Sequence, residues 1–145
     1  MAGFTDTYEN GFLDLLLRGD NLSLIADDTA TTPLTNLYHS LHTGDPTDTP
    51  GTNQTQLEIG YTSYGRATVG RATAYNVASG GSSSPAANID FAAGTGGTGT
   101  ATHFGIGSVI STAGSLICSG TVTPNIVTGD GVTPRLTTAT TITLD

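Results

Sequence analysis

The spacing of apolar positions divides this chain in two. A helical period near the N-terminus gives way, past Gly19, to short segments that alternate every second residue. Asp6-Thr7-Tyr8-Glu9 predicts a helix start, because an N-cap acid with a glutamate three positions on satisfies free N–H groups and faces the positive end of the dipole. Tyr8, Phe12, Leu15 and Leu16 then recur at helical spacing and define one apolar face, Leu13 and Leu17 widen it, and Gly19 after Arg18 is the expected stop. Gly11 lowers the intrinsic stability of this helix by about 1 kcal/mol relative to alanine. A helix this short is marginal in water, so its apolar face is expected to dock on the protein's own sheet or on a neighbouring subunit.

Asn21 to Thr35 reads as a connection around Leu22, Leu24 and Ile25, with Pro33 arguing against helix. The first strand is expected over Leu37 to His42, with Leu37, His39 and Leu41 on one face and Tyr38, Ser40 and His42 on the other. A polar excursion from Thr43 to Gln56 follows, rich in turn formers and expected to be mobile or partner-facing. Further strands are expected at Tyr64 to Val69, Arg71 to Val77, Ile89 to Phe91, Thr102 to Ile106, Ser115 to Val122, Arg135 to Thr137 and Thr140 to Leu144, with flexible turns at Ser79 to Ser84 and Gly94 to Gly99. Strands so closely joined leave no room for crossover helices. The predicted fold is mainly β, an antiparallel, jelly-roll-like β-sandwich over residues 21–145, with residues 1–20 as a helical docking segment.

Composition sharpens this picture. At 145 residues the chain is one domain by length and can bury about 68–70% of its unfolded surface. Charged residues make up only 11%, so the polar surface must come from Thr, Ser, Asn and Gly. The charge is one-sided, with twelve acids against four arginines and a net charge of −8. Nucleic-acid binding draws on Lys and Arg, so neither nucleic acid nor an anionic membrane is an expected partner. The single Cys118 forms no internal disulfide, and its default place is a buried strand. No apolar run reaches the length of about 20 residues that a membrane-spanning helix needs, and the N-terminus lacks a secretory signal pattern, so synthesis in the cytoplasm of the producing cell is expected.

Candidate chemistry is sparse. His39 and His42 are expected on opposite faces of one strand, which keeps them from gripping one metal. Gly105-Ile106-Gly107-Ser108 lacks the nucleophile elbow of a Ser-His-Asp hydrolase, and Gly94 to Gly99 has no following lysine to make it a phosphate cradle. Asp45 and Asp48 fall outside any EF-hand pattern. No enzymatic activity, metal or cofactor is expected. Arg66 and Arg71 stand out instead: in a chain short of cations, each is expected to make a bidentate bond to a carboxylate, within the chain or across a subunit contact. Tyr8, Phe12, Leu15, Leu16, Arg66 and Arg71 are the candidate interface residues.

Three stretches together resemble a family of small tailed-bacteriophage structural proteins, often labelled tail-fibre proteins and sometimes found decorating heads. They are Met1 to Asp6 with Glu9-Asn10 and Leu13-Asp14, then Tyr61-Thr62-Ser63-Tyr64-Gly65-Arg66-Ala67 running to Arg71, then Thr102 to Ile106 with the terminal Thr141 to Asp145. The resemblance implies a virion component without catalytic residues. His39, His42 and a long Pro50 to Leu57 loop depart from the family pattern and make an altered partner surface the expectation. A chain without heptads or β-helical repeats supplies no fibre shaft. The leading expectation is therefore a capsid decoration, or cement, protein on the outside of the particle: a homo-oligomer that binds the major capsid protein or other virion proteins. A tail-fibre or baseplate component active in host attachment is the alternative, and a carbohydrate-binding β-sandwich a more distant one.

Overall fold

A computed structural model describes residues 6–21, 34–47 and 53–144, with side chains from Glu9 onward. The elements in chain order are α1 (Asp6–Arg18), β1 (Asn36–His42), β2 (Ala67–Gly70), β3 (Ser82–Ser83), β4 (Ile89–Asp90), β5 (Gly99–Gly107), β6 (Leu116–Thr128), β7 (Arg135–Leu136) and β8 (Ile142–Thr143). The fold is mainly β with antiparallel sheets, sandwich-like, as the strand spacing predicts, and the described residues include one helix. Among the described residues no helix is long and apolar enough to cross a membrane.

Two compact units form, and both are discontinuous in sequence. One gathers Met1–Thr35, Gly70–Asn88 and Leu136–Asp145; the other gathers Asn36–Val69 and Ile89–Arg135. The helix thus shares its unit with two later segments of the chain.

In the second unit a four-stranded sheet runs in the order β2-β1-β5-β6. β1 and β5 pair antiparallel from Tyr38 opposite Gly107 to His42 opposite His103. β5 and β6 pair from Gly99 opposite Thr128 to Gly107 opposite Leu116, with register shifts between Ala101 and His103 and between Ile106 and Gly107. Pro124, which has no N–H for a ladder, falls in the first of these irregular stretches, where a strand tolerates it. Leu37, Leu41, Ile59, Phe91, Ala101, Phe104 and Ile106 form the core. The alternation expected of β1 is present, yet both of its faces are buried from His39 to His42. The chain at Leu57 to Ile59 runs beside this strand, the N–H of Thr43 donating to Leu57 O at 2.8 Å and that of Ile59 to Leu41 O at 2.9 Å.

In the first unit β3 and β8 pair antiparallel, Ser82 opposite Thr143 and Ser83 opposite Ile142. The strand expected at Arg71 to Val77 is absent. Its first half is a turn in which the N–H groups of Thr73 and Ala74 both donate to Gly70 O, and only Tyr75 makes an isolated bridge, to Pro85. Conversely, the turn expected at Ser79 to Ser84 is a two-residue hairpin. Gly80 and Gly81 both take positive φ, 59° and 69°, and the backbones of Ser79 and Ser82 exchange hydrogen bonds, which is the type I′ geometry that suits the strand twist.

Candidate functional site

The helix is fixed by both its apolar and its polar side chains. Leu13 and Leu17, one turn apart, are the buried pair, 4% and 0% exposed, and with Tyr75, Ala78 and Ile142 they make the core of this unit. They were expected only to widen the apolar face, but they are its anchor. Asp14 Oδ1 accepts the N–H of Ala78 at 2.7 Å, and Asn10 Oδ1 accepts that of Gly81 at 2.7 Å. Gly81 is confined from two sides, since a Cβ there would lie 2.8 Å from Glu9 Oε2 and 3.1 Å from the carbonyl oxygen of Leu144.

Phe12, Leu15 and Leu16 stand on the less buried side of α1. Together with Leu13, Arg71 and Leu144 they line an apolar cavity of about 450 Å³. Tyr8 belongs to the same predicted stripe, but its side chain lies outside the described residues. Arg71 closes the helix end. Its guanidinium donates to the carbonyls of Leu15, Leu16 at 3.0 Å and Leu34 at 3.3 Å, placing a cation on the negative end of the dipole at the last turn of the helix. The expected stop is also present, with the N–H of Gly19 on Leu15 O and that of Asp20 on Asp14 O, both at 3.2 Å.

Arg66 behaves differently from Arg71. It is buried and forks onto Glu58, with Nε to Oε1 at 2.8 Å and Nη2 to Oε2 at 2.7 Å, while Nη1 donates to Val109 O at 3.0 Å. Tyr64 joins the same carboxylate through its hydroxyl at 2.7 Å and accepts the N–H of Leu41 at 3.2 Å. Burial pushes the Tyr64 hydroxyl well above its ordinary pKa, so it stays a proton donor to Glu58. The Tyr64-Gly65-Arg66 motif is therefore an internal staple that fixes residues 58–66 to β1. Of the two kinds of carboxylate pairing that the sequence left open, Arg66 makes the internal one.

The histidines are built into the core. His39 and His42 are both fully buried. Desolvation lowers the His39 pKa to about 4, opposed by a backbone hydrogen bond with Ala67. His42 is lowered by the same cause. Its Nδ1 lies 2.7 Å from Gln56 O, which only accepts, so Nδ1 carries the proton and the neutral ring accepts the Ser40 hydroxyl at Nε2, 2.8 Å away. A Ser-His pair thus exists, with a backbone carbonyl where a hydrolase places a carboxylate, and with both side chains sealed from solvent. Among the described residues no group of three or more His, Cys, Asp or Glu side chains is placed to hold a metal ion. Cys118 is half-buried on β6, its thiol pushed up to about 11 by desolvation, which leaves it a poor nucleophile at neutral pH.

Sequence reasoning missed Gln54. Placed in a loop expected to be mobile or partner-facing, it is fully buried, donates through Nε2 to Tyr38 O at 3.0 Å, and accepts the N–H of Val109 at 3.2 Å. The signal was at Gly107, where a Cβ would lie 2.0 Å from Gln54 Cδ. The Gly94 to Gly99 turn is likewise tied down, with Thr62 N on Gly96 O at 2.9 Å and Thr95 N on Thr62 O at 3.1 Å.

A family model described as Podophage GP4 fiber I protein gp80 matches residues 3–143 of the chain. No curated protein matches it.

Proposed function

The chain belongs to the Podophage GP4 fiber I protein gp80 family and is a bacteriophage virion component, and from that premise we propose that it is a non-enzymatic structural piece of the tail-fibre apparatus. The match over residues 3–143 carries this reading, because the family is described by a fibre protein and spans both compact units. The chain supplies neither heptads nor repeats from which to build a shaft, so the role proposed is an adaptor or tip that joins other virion proteins and contributes to host attachment.

No catalytic step is part of the proposal. The Ser40 hydroxyl and the His42 ring are buried and engaged with each other and with Gln56 O. The head-decoration role favoured by compactness and charge becomes the second reading. A phage lacking this protein separates the two. As a fibre component, its loss leaves particles that retain DNA on heating as native particles do but adsorb poorly to host cells. Normal adsorption with DNA release at a lower temperature would overturn the fibre reading in favour of head decoration.

A further inference from the structure

Asn10-Gly11 is the only Asn-Gly pair in the sequence, and it stands inside α1. An asparagine before glycine is prone to deamidation, because glycine has no side chain to hinder its own nitrogen and its backbone reaches the conformations that ring closure needs. The Gly11 nitrogen bonds to Asn10 Cγ, the bond from Cγ to the side-chain nitrogen breaks, and that nitrogen leaves as ammonia with the proton of the Gly11 amide. Water then opens the succinimide to aspartate or isoaspartate. A helix blocks the first step. Helical dihedrals hold the Gly11 nitrogen away from the ring geometry, and its N–H belongs to the ladder of the helix.

The helix in turn depends on its docking. Alone, a 13-residue helix with a glycine in it is marginal in water. Burial of Leu13 and Leu17 holds it, together with the bond from the Ala78 N–H to Asp14 Oδ1. Asn10 is itself part of that docking, half-buried, with its Oδ1 accepting the Gly81 N–H at 2.7 Å. The amide that would react is thus the clip that ties α1 to the Gly80-Gly81 turn.

We propose that Asn10 is a latent deamidation site that the docking of α1 keeps closed, so that sustained release of the helix is recorded by irreversible conversion to aspartate or isoaspartate. Isoaspartate lengthens the main chain in mid-helix, which interrupts the ladder, and it moves the acceptor away from Gly81. It also adds negative charge to a chain already at −8. Release therefore becomes one-way. The inference rests on α1 and its contacts, and is independent of where in the virion the protein sits.

Peptide mapping by mass spectrometry of the full chain, held in mildly alkaline buffer with and without urea, tests it. Asn10 should convert in urea, more slowly in Gly11→Ala, and at least about tenfold more slowly in native buffer, a comparison that needs no variant. In native buffer Leu17→Ala, which loosens the docking, should speed conversion at least about tenfold, and Leu16→Ala should leave it near the native rate. The purified isoaspartate product should show fast amide exchange over Phe12 to Arg18. Retention of Asn10 in urea, equal rates with and without urea, equal effects of the two leucine substitutions, or native-like exchange in the product would overturn the proposal.

Discussion

At the residue scale the molecule depends on a few buried polar groups whose partners are fixed. Arg66 and Glu58 are 3% and 15% exposed at their side chains, so the pair is largely shielded from water. A buried pair adds little net stability over apolar packing, but removing one member leaves the other desolvated and unpaired. Arg66→Met should therefore cost about 3–5 kcal/mol in a denaturant titration. His39 gives a pH dependence of defined sign. Its folded pKa, about 4, lies below the ordinary 6.5, so the unfolded chain takes up a proton first as pH falls. Stability fully present above about pH 6.5 is lost progressively down to about pH 4, by about 3 kcal/mol at most, and His42 shifts the same way. His39→Leu should flatten that slope when melts are compared across the window. Little of this was legible in the sequence. A buried glutamine between turn formers, or an arginine eight residues from its carboxylate, carries no local signature; the glycines at 107 and 114, crowded against Gln54, record the glutamine's close approach.

At the scale of elements, local patterns succeeded where one segment decides its own fate. The helix over Asp6–Arg18 and the strand over Asn36–His42 follow from periodicity, because their apolar faces meet a core at the spacing that the sequence displays. Arg71 to Val77 failed for a tertiary reason. Its alternation suits a strand, but Gly70 O gathers two turn hydrogen bonds and the Arg71 guanidinium is drawn to the end of α1. The helix also used its leucines in a different division of labour than the widest stripe suggests. Leu13 and Leu17 hold it, whereas Leu16, 36% exposed, faces the cavity and solvent. Leu17→Ala should lower the stability of this unit by about 2–5 kcal/mol, and Leu16→Ala by much less, as read from amide exchange in the helix.

At the scale of the whole molecule, composition and family point the same way but with different resolution. The family match makes the chain a phage virion component, and net charge, a small charged fraction and a mainly β fold do not say where in the particle it sits. Location was not legible in the residues, because the lack of heptads or repeats for a shaft argued for the head while carrying no information on what the chain binds. The family is described by a fibre protein, which supports the proposed place at the tail, so the central claim is one of place. Antibody to this chain, conjugated to gold and imaged on intact particles, measures that place directly. The account predicts labels clustered at the tail, in the small number that a fibre assembly holds. Labels spread over the surface of the head, with the tail bare, would contradict it.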